Sequence, residues 1–474
     1  MDLYVRIIRE LAQKHGLKKF KLGYFYSEVD KELLRRKMRA GEAIQGLDGF
    51  ADLVESELDA TDRIVGMAGV HPYMELLRQG ADVIIGGRSS DAAVFAAPAL
   101  HHGFPADYAY YLGKVLECAS FCAEPYGGKE TVMGEISHGD VKVTAMLPAQ
   151  RCTIASVAGH AMYERSNPYD EFFAGGRLDM RHCHYEQFDE RTTRITGSRF
   201  VPSEKIRVKL EGSGKVGERY VGLCGIRDPY TIAHVDRVIE WAREQVRARF
   251  GDGGYELHYK VYGRDGVMGE LEPLRNQPGH ELCVMVQGVA PMREMAEEVT
   301  LDRTAPDVLR APARREGHGR LGLVPPGRGA ARERCLPLDP EPHRGRGQRP
   351  GAVPHPHDRS RRLIRKIPMT TQKLSELAKT IRSKNAGVNK ITFDIIFRDG
   401  ATYERVKRSR VLTREGMAGL FRIPPERISD FVEYDPGYAI KFTIYRLRPS
   451  GSAGDGDIFG AQQYAPLLDL PIPA

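Results

Sequence analysis

Three groups of residues have the types and spacing to do chemistry. The first is Gly86-Gly87-Arg88-Ser89-Ser90-Asp91. The glycines permit a sharp turn and close approach by another group. Ser89, Ser90 and Asp91 are helix N-cap types. A strand, a turn and a helix start here would aim backbone N–H groups and a positive dipole end at one spot, and Arg88 adds a full charge. That chemistry is anion binding, of a carboxylate or a phosphate, by Gly86, Gly87, Arg88, Ser89 and Ser90. Asp91 would orient Arg88 or act as a base. An ordinary turn whose arginine pairs with a local acid, followed by a capped helix, accounts for the same residues.

The second group is His160, Tyr163, Glu164, Arg165 and Asn167. His160 and Glu164 stand at i and i+4, so a helix would put them on one face, and such a pair can move protons on a carbon acid. A solvated helix face explains the spacing equally well. Cys118 and Cys122, with His182-Cys183-His184 downstream, include zinc-ligand types, but their spacing fits no closed zinc site and no metal is expected. Cysteine is commonly buried as a small hydrophobe, and nothing near Cys118 in sequence would activate its thiolate. In the tail, Arg448, Ser450, Gly451, Gly454, Asp455, Asp457 and Gln462 form a polar, glycine-rich loop suited to a lid or an interface, or simply a loose terminus. No Walker motif, no GxGxxG after a strand and no GxSxG is present, so the cofactor is left open.

These residues need elements to position them. Val83-Ile84-Ile85 is a short β-branched run, as expected of a strand covered on both faces. His71 to Gly80 reads as a helix with proline in its first turn and glycine after its end. Helix, strand, turn and helix in succession are half of a parallel βαβ pattern. Upstream, the spacing predicts a helix ending near Gly16, a strand over 20–26 and a helix over 30–39. Downstream it predicts a helix over 106–122, a hairpin of 131–135 with 141–147, a helix over 154–163, strands at 208–210, 220–224, 255–262 and 282–286, a helix capped by Thr231, and another helix from Pro291. Past Met369, Leu374, Leu377 and Ile381 mark a helix face. Lys390 to Arg398 and Ala439 to Tyr445 read as strands, and Thr413 and Pro424 open short helices.

The chain of 474 residues is long enough for two to three domains, and 41% apolar residues supply real cores. It opens on a charged amphipathic stretch rather than a signal peptide. No apolar run approaches the ~20 residues of a membrane helix. Seven scattered cysteines suit a reducing, cytoplasmic setting better than a disulfide framework. The net charge of +7 has one source: residues 301–365 hold 15 Arg, no Lys and 7 acids, a surplus of +8, which leaves −1 for the remainder. The basic pI is therefore no sign of a nucleic-acid surface on the folded parts. With ten prolines and no aromatic residue, this segment cannot bury enough apolar area to offset chain entropy. Arginine, proline, glycine and alanine without lysine is also what a GC-rich gene yields when read in the wrong frame. Shifting 325–359 by one base, with GC-rich codons, can give a string with aromatics, alternation and a helical end.

HPYMELLRQGADVIIGGRSSDAA, at 71–93, and GKVLECA, at 113–119, resemble the AtuA family, named for acyclic terpene utilisation. The resemblance covers about 2–300. It implies a role in bacterial breakdown of branched acyclic acids by way of coenzyme A thioesters, and it names a pathway type rather than a reaction. It further implies that residues ahead of Met1, including a glycine-rich stretch and the family's first parallel strands, are lacking here. Residues 369–474 resemble the small AtuA-associated partner, for which the resemblance implies a ferredoxin-like α+β fold and, in some cases, a separate polypeptide encoded beside the large one. Two neighbouring genes joined by a frame error would then account for the whole chain.

The expectation is an α/β large domain with a parallel or mixed sheet over 1–300, an unstructured or frame-shifted linker over 301–368, and a ferredoxin-like domain over 369–474. The expected function is action on a branched acyclic acid or its coenzyme A ester by hydration, elimination or isomerisation. Asp91, His160 and Glu164 would be the catalytic residues. The alternative is a non-catalytic assembly subunit. Expected partners are the small-molecule acid or acyl-CoA and a contact between large and small parts, without nucleic acid or membrane.

Overall fold

The computed structural model describes residues 1–17, 19–47, 49–127, 131–301 and 371–473. The expectations for the arginine-rich segment beyond Leu301 lie outside the described residues.

The N-terminal half mixes α and β as anticipated, but the sheet behind the glycine turn is small. Leu22–Tyr24 pairs in parallel with Val83–Ile85, Leu22 opposite Val83. This is the one parallel strand pair among the described residues. Val83 is 38% exposed, so the β-branched run is not covered on both faces. His71–Arg78 is helical, with Pro72 in its first turn and only Tyr73 fully buried.

Antiparallel sheets carry the rest. His184–Gln187, Thr192–Thr196, Val141–Ala145 and Val132–Ile136 form one sheet in that order, the last two joined by the anticipated hairpin. The helix Ala106–Leu116 packs with it, burying Ala109 through Val115 without a break. A helix buried all round is a core helix. Tyr110, Tyr111 and Val115 share a core with Val141, Val143, Val157 and Met162. A further sheet pairs Leu282–Ala290 with both Glu218–Ile226 and Glu256–Tyr262. The helix Val235–Phe250 lays Val235, Ile239, Ala242 and Val246 on its core side and stops at Gly251, as the periodicity predicts. Its expected Thr231 cap is corrected: Asp228 caps a separate short helix, Pro229–Ala233, by accepting the Thr231 N–H.

The C-terminal part is a small β-rich domain. Its strands run Ala378–Asn385, Lys390–Phe397, Ala439–Tyr445 and Ile428–Tyr434 across an antiparallel sheet, with helices Gly400–Ser409 and Arg414–Phe421 between the second and third strands of the chain. That order, two strands, two helices and two strands, departs from the β-α-β-β-α-β arrangement of a ferredoxin-like fold. The expected helix face of Leu374, Leu377 and Ile381 is likewise corrected. Only Leu374–Leu377 is helical, and Ala378–Asn385 is a strand. Its backbone pairs along nearly the whole of Lys390–Phe397, and pairing to a buried strand outweighs a short helical spacing. Ile396, Tyr434 and Ala439 of this domain belong to the same core as Tyr111, Val157 and Tyr185 of the N-terminal part.

Candidate functional site

The glycine turn is closed by its own neighbours. The helix after it begins at Ala93, and Ala92 supplies no side-chain cap. The expected capping by Ser89, Ser90 and Asp91 is corrected: the helix starts beyond them, so that its N-cap position falls on Ala92. Ser89 Oγ lies 2.8 Å from the Tyr73 hydroxyl. The Ser90 N–H donates to Ala68 O and the Gly87 N–H to Phe25 O, both at 2.9 Å. A Cβ on Gly86 would strike the Tyr73 hydroxyl, and one on Gly87 would sit 2.5 Å from Ser27 Oγ. The glycines answer to this packing. Arg88 meets Glu211 two-fold, Nε to Oε2 at 2.8 Å and Nη2 to Oε1 at 3.2 Å. Asp91 is 3.9 Å away from the same guanidinium and largely exposed. Hydrogen bonding from Arg88, with a second bond from Lys209, holds the Glu211 carboxyl down at about 2.

Unusual electrostatics gather instead where the Ala106–Leu116 helix ends. Gly113 packs against the carbonyl of Ala92, where any side chain would clash. Lys114 is 4% exposed and pairs with Glu117. Burial, then the charge of Arg165, pushes its ammonium down to about 8, with Glu117 acting the other way. Arg165, buried as well and paired with Glu171, is pushed down to about 10 by burial. A buried cation with such a shift is a functional-site candidate.

The chain then turns at Cys118, which is exposed and left-handed at φ 52°. Burial, then Glu164 and Glu117, push its thiol up, and Asp91 contributes to the same field. Asp91, Glu117, Glu164 and Lys114 are therefore brought within electrostatic reach of Cys118. Glu164 is left-handed too, at φ 59°. Non-glycine residues in this region carry strain, which clusters at working sites.

His160 is placed differently from the expected acid–base pair. The helix Ile154–Ala161 stops before Glu164, so the two do not share a helix face. The imidazole is 1% exposed. Its Nε2 reaches Glu117 O at 2.8 Å and Val115 O at 3.1 Å, so Nε2 carries the proton and donates. Burial, and next the Lys114 charge, push the ring's pKa down to about 3, so His160 is neutral. Nδ1 has no hydrogen-bond partner.

The small domain closes this region. Lys441 Nζ donates to Met162 O at 3.0 Å and pairs with Asp394 at 2.6 Å. Arg382 bonds Asp394 at 2.8 Å and Gly159 O at 3.1 Å. Its guanidinium lies 4.6 Å from the Tyr163 ring centroid. Lys384 stands 3.5 Å from Glu164. The hydroxyls of Tyr111, Tyr185 and Tyr434 form a buried chain across the same junction, at 3.1 and 3.3 Å.

Lys114, Glu117, Arg382, Asp394 and Lys441 were not singled out by spacing. A signal exists for some of them: Asp394 and Lys441 are lone charges in the middle of the apolar strands KITFDIIF and AIKFTIY. Opposite charges directly across two such strands find each other. Lys114 likewise stands among apolar residues in the second half of its helix, YYLGKVL. Among the described residues no group of three or more His, Cys, Asp or Glu is placed to hold a metal ion. The polar tail docks on the sheet of 256–262 and 282–290, where Lys260 Nζ donates to Asp455 O and the Gly454 N–H donates to Gln287 at 3.3 Å.

Residues 374–471 match the model of a domain of unknown function, DUF4387. Residues 2–313 match the model described as acyclic terpene utilisation family protein AtuA. No curated protein and no solved structure matches the chain. With the AtuA model spanning well over half of its length, the chain belongs to the AtuA family.

Proposed function

We propose that this protein is a catabolic enzyme that moves a proton on a branched acyclic acid or its coenzyme A ester, with Lys114 as the base. Family membership suggests a role in acyclic terpene utilisation. The single observation that carries the reaction type is the buried Lys114 ammonium, held at about 8 beside Glu117. A base works best when its pKa lies near the operating pH. The neutral amine takes a proton from the carbon next to the thioester carbonyl, and the electron pair of that C–H bond passes into the enolate. Proton return to the same or a neighbouring carbon gives isomerisation. Loss of a leaving group from the enolate gives elimination, and the reverse gives hydration. Glu164 and Asp91, at the Cys118 rim, exchange the proton with solvent. His160, neutral and buried, holds the helix end instead of acting as acid or base.

The Gly86-to-Ser90 turn would hold the substrate's anionic end only by displacing Glu211 from Arg88. Acyl-CoA binding abolished by Arg88→Ala supports that role, and unchanged binding removes it. The free cysteines among the described residues favour a reducing compartment, and no helix among the described residues is long and apolar enough to cross a membrane. The two separate family matches also favour the reading of 301–368 as a join between two genes, which peptide mass spectrometry of the native product would decide.

The test of the reaction is deuterium exchange. Isovaleryl-CoA incubated with the full chain in heavy water should gain α-deuterium, with a rate that rises with pH and is half-maximal near 8. Lys114→Met should lose roughly 10²–10⁴-fold of that rate. Exchange that persists in the variant removes Lys114 as the base. A second reading, a non-catalytic assembly subunit, draws on the core shared by the two parts of the chain. No exchange with any branched acyl-CoA, together with loss of subunit association in variants of that core, would favour it.

A further inference from the structure

We infer that the small domain is a positioning element for this site: its Arg382–Asp394–Lys441 network grips the end of the Ile154–Ala161 helix and, through His160, the end of the Lys114 helix. The inference rests on the reading of Lys114 as the base. Carbonyls in the last turn of a helix lack partners within it, and cations are favoured there. Here the donors come from another domain. Gly159 O receives Arg382 Nη2 and Met162 O receives Lys441 Nζ. Just beyond, Ser166 O accepts from the Thr443 hydroxyl at 3.4 Å. The segment between Gly159 and Ser166 is thus held from the small domain at three carbonyls.

That segment is joined in turn to the site. His160 Nε2 donates to Val115 O and Glu117 O, the carbonyls flanking the turn just after Lys114. Lys384 faces Glu164. The network is an expensive way to make an interface. Asp394 is 2% exposed and Lys441 not at all, and buried ion pairs add little stability over an apolar contact of the same shape. What they add is geometry, because each donor has one place to go. The three residues pair with one another rather than with Lys114, which pairs with Glu117, so their role is positioning. The charged and titratable groups that face Lys114 are Glu117, Cys118 and Cys122, just beyond its own helix, and Arg165, Glu164 and His160 across from it. Release of the segment separates the second set from the first.

The experiment is acetic anhydride labelling of the full chain over a pH series, read at Lys114 by mass spectrometry, with exposed Lys215 as the internal reference. In the unmodified protein the reading of Lys114 as the base expects half-labelling near pH 8. In Arg382→Gln the midpoint should move toward the ordinary lysine value of about 10.4, a full move cutting the free-amine fraction at pH 8 roughly a hundredfold. Arg382→Lys keeps a charge for Asp394 but not the reach to Gly159 O, and should shift the midpoint part of the way. It also decides the matter by the same readout if Arg382→Gln does not fold. A folded variant with an unmoved Lys114 midpoint, and Lys215 unchanged, overturns the inference alone. An ordinary lysine midpoint in the unmodified protein instead overturns the reading of Lys114 as the base.

Discussion

Two regions of this protein concentrate charge, and they treat it in opposite ways. At the Gly86–Asp91 turn, Arg88 is answered by Glu211 at a half-open surface, and Asp91 stands in solvent. At the end of the Ala106–Leu116 helix, Lys114 and Arg165 are buried, and both are pushed well below their ordinary range. The first arrangement is one that any stable turn can adopt. The second takes ions out of water, which costs free energy unless something holds them. Each has a carboxylate beside it, Glu117 for Lys114 and Glu171 for Arg165, and the Arg382–Asp394–Lys441 network lies at the neighbouring domain junction. A conspicuous motif is thus the quieter site, and a plain helix carries the unusual chemistry.

The comparison can be broken at several points. The largest expected effect is Asp394→Ala, which strands Lys441 and Arg382 without their acid and should cost about 3–5 kcal/mol in urea unfolding at neutral pH. Burial alone would raise the Asp394 carboxyl, and Lys441 with Arg382 outweigh it, so its pKa in the folded chain lies below the ordinary value. Its contribution is then present above the unfolded carboxylate pKa and fades as pH falls through the lower folded one. The gap between wild type and variant should therefore close in acid. A gap that widens there contradicts an ionised Asp394.

Gly86→Ala and Gly87→Ala should come next, at about 1–3 kcal/mol each from forced contact with Tyr73 and Ser27. Tolerance of both, measured by thermal unfolding, would mean the turn is looser than its packing implies. The smallest effect is expected for Arg88→Ala, about 0–1 kcal/mol for a half-exposed ion pair. Glu211 is held down to about 2. The stability it lends is present above the ordinary carboxylate range and lost as pH falls through about 2, so Arg88→Ala should flatten the acid limb of the stability curve. A cost for Arg88→Ala as large as that for Asp394→Ala would erase the contrast between the two regions.

Much of the scaffold was legible in advance because its signals are local. The Val132–Ile136 and Val141–Ala145 hairpin alternates across a polar turn, and the Val235–Phe250 helix repeats its apolar residues at helical spacing up to Gly251. The misreadings share one cause. Ala378–Asn385 carries a helical spacing yet pairs as a strand because a buried strand lies beside it. Ser89 and Ser90 are good caps in isolation, but the Ser89 hydroxyl is drawn to Tyr73 and the helix starts beyond both, with Ala92 at its N-cap. Of the expected site residues, Asp91 and Glu164 both act on the Cys118 thiol, while His160 is sealed in and fastens two carbonyls.

By itself, then, the sequence determined the local elements, the two-part organisation and the resemblance to the AtuA family, since periodicity, turn residues and long matched stretches are all properties of neighbours in the chain. The tertiary structure alone decided which charges are buried and what answers them. Lys114 and Lys441 stand out only as charges among apolar neighbours, and the fold decides that both are buried and that Glu117 and Asp394 answer them. Burial and long-range pairing set a pKa, and neither is written in the spacing of residues along one segment.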